Sequence, residues 1–177
     1  LSSYWSALEA GRNMASNVPF SRWDADAVET KDENVRRRAS WGAFVHELEL
    51  FDGGLFNISP AEASAMDPQQ RLLLEYTHIA ITDAGYSRKA VRGRNIGVFV
   101  GISAANSTNS TSVYAANSSG HANAVGRVSF VFGLQGPSVA YDPACSSSIV
   151  ALHAATRSLQ HSECEIAIVA GAHAIMT

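Results

Sequence analysis

Residues 138–155 read SVAYDPACSSSIVALHAA, and the fold turns on how this run is divided. Ser138-Val139-Ala140-Tyr141 is a short apolar stretch of strand character, and Asp142-Pro143 is a turn signal. Cys145 follows, then three serines, then an almost wholly apolar segment long enough for a helix. This order sets a thiol at a strand-to-helix turn, on the first backbone N–H groups of a buried helix running over 146–162. Free N–H groups and the positive end of a helix dipole stabilise a thiolate, and the same groups stabilise an oxyanion. The local pattern fits equally well a small apolar cysteine packed at a helix start.

Outward from this turn the elements alternate. Ile96 to Val100 is a β-branched run ending in Gly101, a buried strand. His121 to Gly133 has helical spacing, with Val125, Val128 and Phe132 on one face, and Gly136-Pro137 turns the chain into the strand before Cys145. Glu165 to Ala170 is a further strand, apolar on both faces. Strand, helix, strand, helix, strand predicts an α/β domain with some parallel strands.

Nearer the N-terminus, Ser2 to Arg12 reads as a helix with Trp5 and Leu8 on one side and Gly11 near its end. Val18 to Lys31 is turn-rich and acidic, and Arg36-Arg37-Arg38 reads as a solvated loop face. Asp67-Pro68-Gln69-Gln70 is a helix start, with Asp67 as cap, Pro68 in the first turn and Gln70 reaching back in a capping box. The helix runs to Ala84 and stops at Gly85, with Leu72, Leu73, Tyr76, Ile79 and Ala80 expected in the core. Ser103 to Ser119, rich in Ser, Asn, Thr and Ala, reads as a long surface loop or poorly ordered helix.

The chain has 177 residues, 46% hydrophobic and 16% charged, with a net charge of −3. This is enough for one substantial core and offers no basic surface for nucleic acid. No run approaches the roughly 18 apolar residues of a membrane span. The two cysteines, Cys145 and Cys164, lie at opposite ends of the helix, about 25 Å apart at 1.5 Å per residue, too far for a disulfide. Two unbridged thiols suit a reducing, intracellular compartment. The sequons at Asn57, Asn106, Asn109 and Asn117 read as chance.

Six histidines are candidates to assist Cys145: His46, His78, His121, His153, His161 and His173. His153 is eight helical residues from Cys145, roughly 12 Å along the axis, too far for a direct hydrogen bond. It reads as a buried helix residue with a structural hydrogen bond. His161 is farther still, His78 reads as structural, and His121 approaches only through tertiary folding and has no evident orienting partner.

The segment DPACSSSIVALHAATRSL resembles the active-site segment of β-ketoacyl synthases, which usually reads D-T-A-C-S-S-S-L-V-A-L-H. Asp142, Ala144, Cys145, Ser146, Ser147, Ser148, Val150, Ala151, Leu152 and His153 match, while Pro143 and Ile149 depart from the usual Thr and Leu. Five more blocks occur in the family's order: PFSRWDADA (Pro19 to Ala27), LFNISPAEA (Leu55 to Ala63), MDPQQRLLLE (Met66 to Glu75), GVFVGIS (Gly97 to Ser103) and GRVSFVFGLQGPS (Gly126 to Ser138). The block MDPQQRLLLE leans toward modular polyketide synthases. His78 stands where the family commonly has Trp.

The resemblance implies a thiolase-like fold, of which residues 1–177 hold most of the first of two similar halves, cut at both ends. It implies acyl transfer to Cys145, then decarboxylative Claisen condensation with a malonyl-type extender held on the phosphopantetheine of an acyl carrier protein. It implies a homodimer built around Glu165 to Ala170, and no directly bound cofactor or metal. The family's two active-site histidines come from H-G-T-G-T and N-x-G-H blocks, and a second oxyanion donor comes from a G-F-G-G segment. None of these occurs in residues 1–177, so no histidine here takes those roles and the 177 residues alone are expected not to condense.

Three other readings compete. An α/β-hydrolase elbow needs small residues two before and two after the nucleophile, and Pro143 fits that badly. A non-catalytic condensing-enzyme-like scaffold often lacks the nucleophile, whereas Cys145 is present. A thiolase shares the fold and the cysteine but not the D-x-A-C-S-S-S block.

Overall fold

The computed structural model describes residues 2–27, 29–45, 47–103 and 120–175. The expected Ser103–Ser119 loop, apart from Ser103 itself, and His46 lie outside these. The chain forms two compact units, residues 1–46 with 175–177, and residues 47–174.

The smaller unit holds helix α1 (Ser2–Glu9), strand β1 (Ser16–Asn17), helix α2 (Glu33–Ala39) and strand β2 (Trp41–Gly42). The α1 turn ends at Gly11, whose φ of 57° needs no Cβ penalty. β1 and β2 pair antiparallel. Asp32 caps α2 by accepting from Asn34 N–H. Arg36, Arg37 and Arg38 lie in the last turn of α2 rather than in a loop. Cations at a helix C-terminus offset the dipole, which explains why a basic run ends a helix here. Trp23 meets Phe44 edge-on at 5.6 Å, and its indole N–H donates to Ala39 O at 3.2 Å.

The larger unit holds helices α3 (Pro60–Ala65), α4 (Pro68–Asp83) and α5 (Arg88–Val91), strand β3 (Ile96–Ile102), helix α6 (His121–Phe132), strand β4 (Ser138–Tyr141), helix α7 (Ser147–Gln160) and strand β5 (Ile166–Ala172). The three strands are parallel in the order β4-β3-β5. The period-2 alternation of β3 divides the layers. Ile96, Val98, Val100 and Ile102 join Leu73, Leu74 and Ile81 of α4 and Val125, Val128 and Phe132 of α6 in one core. Phe99 faces the other way, into a smaller core with Ala151, Ala155 and Cys164. The sheet is thus covered by α4 and α6 on one face and by α7 on the other.

α4 follows its predicted signals at both ends. Asp67 accepts from Gln69 N–H at 2.8 Å. At the far end Gly85 N–H donates to Thr82 O and Tyr86 N–H to Ile81 O, with Gly85 at φ 80°, a glycine-terminated Schellman closure. Two details differ. Gln70 does not complete a capping box, since its Oε1 accepts from Arg127 Nε of α6 at 3.0 Å. The buried face is Gln69, Gln70, Leu73, Leu74, Thr77 and Ile81, so of the expected core residues only Leu73 is fully buried. Tyr76 and Ile79 are exposed by 63% and 55%, and Ala80 is exposed as well. The sheet and α6 take the side of α4 that carries two amides, because those amides have partners there: Arg127 for Gln70 and Ala174 N–H for Gln69.

Candidate active site

β4 ends at Tyr141, and the chain turns through Asp142 and Pro143 into a 3-10 turn, Ala144–Ser146, before α7 begins at Ser147. The helix thus starts one residue later than expected, and Cys145 sits in the tight turn that leads into it. Ala144 has a φ of 57°. A left-handed non-glycine residue costs about 1–2 kcal/mol and persists only where its surroundings fix it. Two serines of the motif do this. Ser147 Oγ donates to Ala144 O at 2.6 Å, and Ser146 Oγ donates to Pro143 O at 3.0 Å. With their hydroxyls used on the turn, no side chain caps the N-terminus of α7.

Cys145 is exposed and Cys164 is buried, and both are free thiols. Cys145 opens onto a cleft of about 590 Å³ lined by Gly101, Ser103, Ala144, Ser147, Ser148, Gly171, Ala172 and His173. Two glycines make this cleft possible. A Cβ on Gly101 would stand 2.4 Å from the backbone of Ser147 and Ser148, and one on Gly171 would stand 2.9 Å from Ser148 Cβ. Their absence lets the start of α7 lie directly on the C-terminal ends of β3 and β5. In a parallel sheet that end is where βα loops converge and ligands bind.

The histidines separate clearly. His78 lies among aromatic rings, stacked on Phe132 at 6.5 Å and edge-on to Phe56 at 6.3 Å, which fits its structural reading. His161 closes the far end of α7, with its Nε2 2.8 Å from an Arg157 guanidinium nitrogen. His153 corrects the expectation of a buried, hydrogen-bonded residue. It is exposed. The buried face of α7 is Ser147, Ala151, Ala155 and Ser158, and two residues beyond Ala151 is about 200° around the helix.

His121 also departs from expectation, because it has a partner. Its Nε2 lies 3.5 Å from Asp142 Oδ2, and Asp142 Oδ1 accepts from Ser103 Oγ at 3.3 Å. His173, which the sequence offered only as one of six histidines, lines the same cleft as Cys145. Its signal was positional: it lies just past a strand that ends beside the Cys145 turn. Among the described residues no helix is long and apolar enough to cross a membrane.

The chain resembles both polyketide synthases and solved ketosynthase domains. It is 41% identical over 178 residues to a phenolphthiocerol/phthiocerol polyketide synthase of Mycobacterium tuberculosis, a match covering 96% of this chain and 12% of that protein. It is 37% identical over 179 residues to the polyketide synthase ThaG of Burkholderia thailandensis, covering 97% of this chain and 3% of that protein. The chain therefore spans about an eighth or less of the length of these relatives. The ketosynthase from module 6 of the bacillaene synthase of Bacillus subtilis superposes with a TM-score of 0.84 at 33% identity, over 99% of this chain and 29% of that one. The oxazolomycin ketosynthase domain OzmH KS7 of Streptomyces albus gives 0.85 at 33% identity, over 99% and 32%. With these neighbours the fold is thiolase-like. The model of the β-ketoacyl synthase N-terminal domain matches residues 1–177, and the chain belongs to the β-ketoacyl synthase family.

Proposed function

We propose that the polypeptide carrying this chain is a ketosynthase of polyketide-synthase type and that Cys145 is its acyl acceptor. The observation that carries this reading is an exposed thiol on a strained strand-to-helix turn, at the mouth of an open cleft and beside an uncapped helix N-terminus. The thiolate attacks the carbonyl of an acyl thioester, a new C–S bond forms, and the carrier thiolate leaves. The Cys145 N–H supplies one oxyanion donor. A malonyl-type extender then loses CO2, its carbanion attacks the acyl–Cys145 carbonyl, and the Cys145 thiolate is released. Both acyl groups arrive on the phosphopantetheine of an acyl carrier protein. The functional setting is a reducing intracellular compartment, consistent with a thiol that must stay free.

Loading is tested in the full polypeptide with an acyl-N-acetylcysteamine thioester and peptide mass spectrometry. Cys145 acquires the acyl mass, Cys145→Ala does not load, and Cys164→Ala loads normally. Equal loading of the Cys145→Ala protein sinks the assignment, and no loading of the unsubstituted protein leaves the scaffold reading.

The homodimer forms around β5. Among the described residues this strand lies at one edge of the sheet, with one side unpaired, and its residues are mostly half-buried rather than buried. An unpaired apolar edge is suited to pairing with a second copy across a two-fold axis. Ile168→Arg in the full polypeptide converts the dimer to monomer by light scattering. A folded variant that stays dimeric with unchanged affinity moves the interface elsewhere.

A further inference from the structure

The turn that presents Cys145 is strained at Ala144, and the Ser146 and Ser147 hydroxyls tie Pro143 and Ala144 to the start of α7. Its N-terminal side is Asp142, a partly exposed carboxylate between two other elements. Ser103, at the end of β3, donates to one carboxylate oxygen. The other faces His121 Nε2 at 3.5 Å. That nitrogen is buried and has no hydrogen-bond partner of good geometry among the described residues. A buried polar atom without a bond is uncommon and calls for a cause.

Among the described residues, Asp142 is the carboxylate within ion-pair distance of His121. The small cavity beside it, about 110 Å³, is also lined by Asp67, Gln70 and Ser103. Asp67 is engaged by the backbone and side-chain amides of Gln69, and Gln70 accepts from Arg127. His121 is itself well anchored as the first residue of α6. Val125 and Val128 lie in the core, and Arg127 ties the helix to Gln70 and Glu62.

We propose that His121 is a positioning residue whose imidazole holds the Asp142 carboxylate and thereby fixes the turn that presents Cys145. The inference rests on the reading of Cys145 as acyl acceptor. It gives the nucleophile turn one tether from β3 through Ser103 and one from α6 through His121. Misplacing a reacting atom by about 1 Å costs up to a hundredfold in rate.

In the full polypeptide, acylation of Cys145 by an acyl-N-acetylcysteamine thioester and its alkylation by iodoacetamide are followed by peptide mass spectrometry, and folding by limited proteolysis. His121→Ala lowers the maximal acylation rate about ten- to hundredfold, with little change in half-saturating thioester concentration or in the proteolysis pattern. His121→Gln, which keeps a side-chain N–H donor, recovers most of the rate. Asp142→Ala reproduces the loss, and the double variant is no slower than either single one, as expected for groups acting through one contact. Unchanged acylation at Cys145 in His121→Ala overturns the inference, as does a loss that glutamine does not rescue. If His121→Ala does not fold, Asp142→Asn decides: several-fold slower acylation supports the tether and an unchanged rate overturns it. Acylation that persists in Cys145→Ala instead overturns the reading of Cys145, and the alkylation rate at that thiol still reports whether His121 positions the turn.

Discussion

The two faces of α7 differ in the size of their side chains. The face against the sheet is Ser147, Ala151, Ala155 and Ser158. The face turned away carries Ile149, Leu152 and Leu159, exposed by 66%, 51% and 42%. Hydrophobicity alone ranks the second face as the more buried. Size reverses that order, because the helix lies close to β3 and β5, close enough that Gly101 and Gly171 have no room for a Cβ. α4 repeats the pattern with Thr77 and two glutamines inward and Tyr76 and Ile79 outward. In both helices closeness and polar satisfaction help decide which residues turn inward, α4 burying Leu73, Leu74 and Ile81 beside its amides, and some large apolar residues are left facing outward.

The sharpest way to break this comparison is to give the close face bulk. Gly101→Ala puts a Cβ 2.4 Å from the backbone of Ser147 and Ser148, where no side chain can swing aside. The expected loss is about 3 kcal/mol in urea denaturation, the upper end for overpacking. The start of α7 is displaced as well, so Cys145 alkylation changes with it. A loss below about 0.5 kcal/mol, typical of an ordinary surface site, means that the closeness does not limit the packing.

A matched glycine gives the opposite sign. Gly126 lies inside α6, and a Cβ there meets nothing within 4 Å. Gly126→Ala is expected to raise stability by about 0.5–1 kcal/mol through helix propensity and lower unfolded-state entropy. A decrease means that the space beside α6 is occupied in solution.

Much of this was legible in the sequence because it is written locally. The strand ending at Gly101, the cap at Asp67, the stop at Gly85 and the turn at Asp142-Pro143 each rest on neighbours within a few residues. The place of Cys145 in that turn was legible for the same reason. The inner faces of α4 and α7 were not, since they depend on partners far along the chain, such as Arg127 for Gln70. The pairing of His121 with Asp142 was hidden likewise: twenty-one positions separate them, and only the crossover from α6 to β4 brings them together.

The outward face of α7 gives a conditional prediction. Ile149→Gln replaces an exposed apolar side chain by a residue of good helix propensity. In the 177-residue chain its effect is expected within about 0.5 kcal/mol. The solved ketosynthase chains extend far beyond the matched part; if an element of the full polypeptide covers this face, the same change is expected to cost about 2 kcal/mol there. Equal small effects in both settings mean that nothing covers this face.

The smallest expected effect belongs to His153. The residue matches the family motif and lies eight positions after Cys145, so its sequence position invites a role. Its surroundings supply none. It is exposed, it has no side-chain hydrogen bond among the described residues, and it faces away from Ala151 and Ala155, which pack on the sheet. Its separation from Cys145, roughly 12 Å along the helix axis, also removes it from proton transfer. In the 177-residue chain His153→Gln is therefore expected to shift stability by less than about 0.5 kcal/mol. Cys145 alkylation should be unchanged, as read by urea denaturation and peptide mass spectrometry. A loss of alkylation at unchanged stability would show that the outward face of α7 communicates with the Cys145 turn, and would reverse the division of the helix into a packed inner face and an uncommitted outer one.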